Sequence, residues 1–246
     1  MKSGKGFNIK KRRRSEDRRY VGVAKTPGIE SEDAGDRIGL LMAGRSIVVF
    51  DLGGVLIDWD PRYLYRKLFD GESEAMEEFL ATVCTQSWNE EQDAGRPFAE
   101  GCAALKQVHP QAAELIDAWI GRYDEMLAGP IAGTVEILAE LNSRNVPLYA
   151  LSNWSAETFP VALKRFAFLK WFKGVMLSGD VKLLKPDARI FRLFLETFAI
   201  DPALSVYIDD RRANVEAARA VGMHGVVFTD AAALRSELIG LGLIGA

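Results

Sequence analysis

In the stretch FDLGGVLID, Phe50 to Asp58, an aspartate closes an apolar run and two glycines follow almost at once. Asp51 is a carboxylate where a strand would end, and Gly53 and Gly54 let the backbone turn tightly beside it. Three later segments carry polar groups at the same kind of place. LYALSN ends in Ser152 and Asn153, KLLKPD carries Lys182 and Lys185, and VYIDD ends in Asp209 and Asp210 with Asn214 just beyond. Ligands of open α/β sheets bind at the carboxyl ends of the strands. Gathered on one rim, these segments bring three acids, a hydroxyl and a lysine together. Close carboxylates repel by roughly 4 kcal/mol per pair at an effective dielectric of about 20. A divalent cation relieves that repulsion, and an all-oxygen ligand set favours magnesium. A carboxylate can also serve as a nucleophile. Phosphoryl transfer uses all of these parts. A cation and a lysine neutralise the phosphoryl oxygens, a hydroxyl and backbone amides hold them, and Asp51 attacks in line.

Each residue alone has a plainer explanation. Asp51 could cap a turn, and Ser152 and Asn153 could cap a helix starting near Ser155. Lys185 could be solvated, and Asp209 and Asp210 could cap the helix that contains Val215 and Ala218. Asp, Ser, Lys and Asp-Asp at four strand ends in order favour chemistry over caps. Other patterns are weaker. SGKGF lacks the spacing and the preceding strand of a phosphate-binding loop. With two histidines, His109 and His224, a zinc cluster or histidine triad has little to draw on. Cys84 and Cys102 have no implied histidine partner and read as buried helix residues.

The elements that position these residues follow from periodicity. SIVVF, VPLYALS, GVMLS, SVYID and GVVF are short runs rich in β-branched and aromatic residues, as buried parallel strands are. TVEILAELNSR, ARIFRLFLETF and NVEAARAVGMHG repeat apolar residues at helical spacing, with Pro186 suited to a first turn and Gly222 to a C-cap. Strands alternating with helices predict a doubly wound, Rossmann-like parallel α/β sheet. About 90 residues separate the first strand from VPLYALS, far beyond an ordinary crossover. The predicted organisation is a core of residues 46–59 and 129–246, with a helical subdomain, 60–128, inserted after the first strand. Within the insert, SWNEEQDAGRPF is a polar stretch. Its Trp88, Glu91, Gln92 and Arg96 either face the site or belong to a solvated loop. Residues 1–45, with the charge run KKRRRSEDRR, are expected to be a disordered basic tail, and Met42 is a candidate for the true start. The closing GLGLIGA reads as a loose tail.

Composition bounds the partners. Of 246 residues, 48% are hydrophobic and 26% charged, which fits a soluble globular chain with room for a real core. A net charge of -3 argues against a general nucleic-acid binder. No apolar run approaches the roughly 18 residues of a membrane span, and no apolar segment follows the charged N-terminus as in a secretory signal. Two cysteines without metal-type spacing suggest a reduced, cytoplasmic setting. The expected partner is a small phosphorylated metabolite, with neither nucleic acid nor membrane; the oligomeric state stays open.

The sequence resembles the haloacid dehalogenase superfamily from Ser46 to about Leu241. VVFDLGGVLID, LYALSN, KLLKPDARIF and VYIDDRRANVEAARAVGMHG look like its four motifs, in order. The insert is similar to a type 1 cap. The branch most resembled is that of bacterial sugar-phosphate phosphatases, which includes α-D-glucose-1-phosphate phosphatase. The resemblance implies that Asp51 forms an aspartyl-phosphate and that magnesium is held by Asp51, the Gly53 carbonyl and Asp210. It implies support from Asp209 and Asn214, a phosphoryl contact from Ser152 with Asn153 beside it, and a Lys185 that bridges phosphate and Asp51. Lys182 is the weaker lysine, because the motif's lysine usually precedes the proline. Most phosphatases of the family carry a second aspartate where this chain has Gly53. Departure of the leaving group must then rely on the substrate's own chemistry, a water or a group from the insert, which favours good leaving groups. Metal-independent 2-haloacid dehalogenases of the same fold also lack that aspartate, so they remain an alternative, as does a non-catalytic phosphate-binding regulatory protein.

Overall fold

The computed structural model describes residues 45–245; the basic tail and the Met42 start lie outside the described residues. The strands, in chain order, are β1 (Ile47–Phe50), β2 (Ile57–Trp59), β3 (Leu127–Pro130), β4 (Leu148–Ser152), β5 (Gly174–Leu177), β6 (Ser205–Asp209) and β7 (His224–Val227). Five of them form a parallel sheet in the order β5-β4-β1-β6-β7. The doubly wound α/β architecture expected from the alternating runs is therefore present.

Between β2 and β3 lie α1 (Arg62–Leu68), α2 (Ser73–Thr82), α3 (Gln86–Asp93), α4 (Phe98–Val108) and α5 (Ala113–Gly121). β2 and β3 pair antiparallel, with Ile57 opposite Pro130, so the two ends of this helical stretch lie side by side next to the sheet. Aromatic rings fill its interior. Trp88 packs edge-on against Phe98 at 6.0 Å and Trp119 at 5.3 Å, and Tyr65 lies 5.0 Å from Phe79.

The sheet is apolar on both faces because helices cover both. On one face Val48, Phe50, Ala150, Val206 and Ile208 meet Ile137, Leu138 and Leu141 of α6 (Ala132–Ser143). Leu234 and Leu238, far along the chain, complete that layer. The connection after β4 runs through α7 (Phe159–Arg165), and the one after β5 through the short α8 (Ser178–Val181). On the other face Val49, Leu151 and Tyr207 meet Ile190, Phe191 and Phe194 of α9 (Ala188–Thr197), and Ala218 of α10 (Arg212–Ala220). The periodicity of these helices is as the sequence suggested, with two corrections at their ends. Pro186 is not in the first turn of α9: Asp187 is the N-cap, accepting from the Arg189 amide, and the proline precedes it. The closing GLGLIGA is not a loose tail either. Its Gly240 closes α11 (Ala231–Gly240), and its Leu243 and Ile244 are buried in the core cluster with Leu234 and Leu238. Gly222 behaves as expected: at φ 96° it ends α10, and its amide donates to the Arg219 carbonyl. No helix among the described residues is long and apolar enough to cross a membrane.

Candidate active site

β1 lies between β4 and β6, so the residues that end these three strands meet at one edge. Asp51 is the first residue beyond β1, and its amide still donates to the Ile208 carbonyl at 2.8 Å. Its side chain is thereby fixed against the sheet. Oδ1 accepts from the Leu52 amide and from the Ser152 hydroxyl, both at 2.7 Å. Oδ2 faces the Lys185 ammonium at 2.9 Å. Lys185 is buried and has its three donors matched by three acceptors: Asp51, Asp209 Oδ2 at 2.8 Å and the Leu151 carbonyl at 2.9 Å. Asn153 holds the loop that delivers it. The Asn153 amide group accepts from the Lys185 backbone N–H at 2.9 Å and donates to the Lys185 carbonyl at 3.0 Å.

Asp209 and Asp210 are adjacent but differ in surroundings. Asp209 is fully buried, and its oxygens accept from Lys185, the Tyr207 hydroxyl (2.5 Å), the Arg211 amide (2.8 Å) and Asn214 Nδ2 (3.0 Å). That carboxylate is spent on protein donors. Asp210 stands outside this network and opens to the cavity. The electrostatics follow. Burial pushes the Asp51 carboxyl up to about 7; Lys185 opposes this and Asp209 adds to it. For Asp209 burial also disfavours the charge, but Lys185 and the hydrogen bonds outweigh it, and its pKa lies below the ordinary value. Asp210 is raised by partial burial and by the charge of Asp209. The two buried anions hold the Lys185 ammonium charged despite its burial.

A cavity of about 410 Å³ opens over these groups. Its floor is Asp51, Gly53, Gly54, Ser152, Asn153, Lys185 and Asp210. Its far wall comes from α3, through Gln86, Asn89, Glu90 and Asp93, with Trp59 and Tyr123 beside them. Glu90 reaches back to Arg211 of the floor side at 3.7 Å.

A family model for haloacid dehalogenase-like hydrolases matches residues 46–222. The chain belongs to this family. Similar proteins include a sesquiterpene phosphatase from Aspergillus oryzae, 26% identical over 192 residues, which cover 77% of this chain and 93% of that protein. A phosphorylated carbohydrates phosphatase from Thermotoga maritima is 26% identical over 199 residues, 73% of this chain and 84% of that protein. Among solved structures, a HAD family enzyme from Bacteroides thetaiotaomicron in a magnesium complex is similar at TM-score 0.62 and 25% identity, over 80% of this chain and 98% of that one.

Of the residues singled out from this hydrolase's sequence, Asp51, Gly53, Gly54, Ser152, Asn153, Lys185, Asp209, Asp210 and Asn214 gather at one strand edge. The plainer explanations for several of them fail. The helix after Ser152 begins only at Phe159, and α10 takes Arg211 as its N-cap rather than either aspartate. Lys182 is exposed, in a left-handed conformation at the end of α8, and does not line the cavity. The insert corrects the sequence reading most. SWNEEQD is a helix, not a loop, with the Thr85 hydroxyl capping it by accepting from the Trp88 amide. Trp88 and Gln92 are buried inside the insert, and Glu91 pairs with Arg96 away from the site. The face toward Asp51 is the neighbouring one, which carries Gln86, Asn89, Glu90 and Asp93. Their spacing of three, one and three residues is a helical stripe, and that periodicity was the available signal.

The residues present fit a divalent cation. One ligand atom each from Asp51, Asp209 and Asp210 lies within 4.8 Å of the others. Against these three carboxylates stands one lysine, which leaves negative charge in excess. Asn214 Oδ1 is buried without a hydrogen-bond partner among the described residues, beside the same acids. Gly54, at φ 74°, brings the backbone so close that a Cβ there would lie 2.7 Å from Asp210 Oδ2.

Proposed function

We propose that this hydrolase is a magnesium-dependent phosphatase that acts on a small phosphorylated metabolite, of the sugar-phosphate class, with Asp51 as the nucleophile. The observation that carries the reading is the buried Lys185, which holds Asp51 Oδ2 and Asp209 Oδ2 at once while Ser152 holds Asp51 Oδ1. A carboxylate fixed on both oxygens, next to a cation and open to a cavity, is oriented to attack an electrophile. Asp51, the Gly53 carbonyl and Asp210 would hold magnesium, because Asp209 is already committed to protein donors. When bound, the cation offsets the negative charge shared by phosphate and acids. Lys185 and Ser152 line the cavity beside Asp51, and in this reading each would exchange a protein acceptor for a phosphoryl oxygen when substrate binds. Asn153 acts by positioning Lys185.

Residues 60–128 serve in this reading as the cap that selects the substrate. Its cavity face is made of amides and acids flanked by Trp59 and Tyr123, which suits a hydroxylated, ring-sized leaving group. The likeness to a phosphorylated carbohydrates phosphatase supports that choice; a terpenoid leaving group would meet a wall rich in polar groups that it cannot satisfy. Two buried free cysteines, Cys84 and Cys102, accord with a cytoplasmic setting. The glycine at position 53 keeps the 2-haloacid dehalogenase as a second reading, since a halide needs no proton. A screen of phosphorylated metabolites and 2-haloacids, with excess chelator and with magnesium restored, separates the two. Turnover of phosphate esters lost to chelator and regained with magnesium is expected. Haloacid turnover undiminished by chelator would reject the phosphatase.

A further inference from the structure

A phosphatase must protonate the departing oxygen of an unactivated ester, and position 53 offers no side chain to do so. A group from the insert was one of three sources left open by the sequence, and the surroundings of each acid narrow the choice. Asp58 accepts from the Tyr63 hydroxyl at 3.0 and 2.8 Å. Asp60 accepts from the Arg62 amide at 2.8 Å and pairs with its guanidinium. Neither lines the cavity, and Glu91 is paired with Arg96 outside it. Two acids of the insert do line it, Glu90 and Asp93. Glu90 is already engaged by a cation, the Arg211 guanidinium at 3.7 Å.

Asp93 differs. Among the described residues it pairs with no cation. Its carboxylate accepts from Asn89 Nδ2 at 2.9 Å and from the Ser155 amide. Its carbonyl accepts from the Ser178 hydroxyl at 2.5 Å. Ser178 opens α8 directly after β5, and Gly95 packs so closely on the Gly179 carbonyl that a Cβ there would come within 2.8 Å of it. The last turn of α3 is therefore pinned to the core next to the catalytic edge. The charged and titratable groups around Asp93 are Glu90 on its own helix, held by Arg211, and Tyr123 from the turn before β3. Burial, with the Glu90 charge added, lifts the Asp93 carboxyl to about 7, so near neutral pH it holds a proton for much of the time.

We propose that Asp93 is the acid–base residue of this phosphatase, in place of the side chain that Gly53 lacks. The assignment rests on the phosphatase reading above. In the first step an Asp51 oxygen bonds to phosphorus, the bond from phosphorus to the leaving oxygen breaks, and the Asp93 proton passes to that oxygen. Asp93 is left as a carboxylate. In the second step a water oxygen attacks the phosphorus of the aspartyl-phosphate and the water's proton returns to Asp93. Phosphate departs and the Asp51 carboxylate is restored.

The test compares wild type with Asp93→Asn in single-turnover phosphorylation, with magnesium, on 4-nitrophenyl phosphate, phenyl phosphate and a simple alkyl phosphate. Nitrophenolate leaves without a proton, so its rate should change little. Phenyl and alkyl esters should lose roughly 10²–10⁴-fold, the usual contribution of general acid catalysis. On phenyl phosphate the ratio of wild-type to variant rate should fall as pH rises through about 7, where Asp93 loses its proton. A Cβ at Gly53 would meet nothing within 4 Å, so Gly53→Asp added to Asp93→Asn should restore the phenyl phosphate rate. Equal loss on all three esters, no loss on any, or a change confined to KM would overturn the assignment while leaving the phosphatase intact. A double variant no faster than Asp93→Asn would also overturn it. Failure of the wild type to turn over any of the three esters would instead defeat the phosphatase reading, and the assignment with it.

Discussion

Replacing Lys185 by methionine removes a charge while keeping most of the volume, and its cost can be worked out from the geometry. The ammonium lies 2.9 Å from Asp51 Oδ2 and 2.8 Å from Asp209 Oδ2, with all three side chains buried or nearly so. At an effective dielectric of about 20, each such pair is worth roughly 6 kcal/mol before desolvation. Removing the lysine gives back its own desolvation cost but leaves two carboxylates facing each other. Breaking a buried pair in this way costs about 3–5 kcal/mol, and for a chain of this size each kcal/mol lowers Tm by about 2–4 °C. Lys185→Met should therefore melt about 6–20 °C below wild type in excess chelator near neutral pH.

The pH dependence gives a sharper check. In wild type, Lys185 holds Asp209 below its ordinary pKa, so Asp209 contributes stability at neutral pH that is lost only as pH falls. Without the lysine, Asp51 and Asp209 both have folded pKa values above their unfolded ones. The folded state then binds more protons than the unfolded state, and stability falls as pH rises through the folded values. Chelated wild type has part of this slope already, through Asp51 at about 7. The variant should show it more steeply, so its deficit should grow between about pH 5 and pH 8. Thermal melts across that range measure it. A variant as stable as wild type at the upper end, or a deficit that shrinks as pH rises, would refute the claim that Lys185 neutralises these two carboxylates.

Asp51→Asn keeps the side chain's shape but removes the attacking charge, so turnover should fall by orders of magnitude while Tm holds, and rapid-quench trapping should label Asp51 in wild type only. Comparable turnover in the variant would end the covalent reading. Gly54→Ala should cost about 1–3 kcal/mol from its positive φ alone and lose activity by displacing Asp210, whereas Gly53→Ala, with open space around its Cβ, should fold like wild type. Equal melting temperatures for the two alanine variants would refute the distinction between the glycines.

The strand-edge half of the site was legible because each functional residue interrupts an apolar run. Asp51 after IVVF, Ser152 after LYAL and Asp209 after SVYI are polar where the pattern calls for apolar residues, and topology then makes them neighbours. Lys185 is harder: only its place after β5 and before Pro186 marked it, and nothing in the sequence distinguishes a buried lysine from a solvated one. The insert's contribution was misread because α3 carries polar residues on its buried face as well as on its cavity face. Buried Gln92 and cavity-facing Asn89 look alike in a sequence, and Trp88 suggests a pocket as readily as a core. Only packing against Phe98 and Trp119 shows which way the helix is turned. The C-terminal end was misread for the opposite reason. Leu243 and Ile244 form too short an apolar run, between glycines, to signal burial.

The two glycines after Asp51 are there for different reasons. Gly54 is required by backbone geometry, since its φ is positive and a side chain would strike Asp210. Gly53 does not share that conformation, and a side chain there would meet open space. Packing therefore does not force the acid out of position 53. An acid on the floor of the site would protonate any leaving group that reached the phosphoryl position. An acid on α3 acts from the wall that also carries Gln86, Asn89 and Glu90, so the proton comes from the surface that contacts the leaving group. A substrate that seats poorly against that wall then loses both binding energy and protonation, and discrimination appears in kcat as well as in KM. On this argument the vacancy at Gly53 ties turnover to recognition, and a Gly53→Asp variant should gain rate on poorly fitting esters at the expense of selectivity among them.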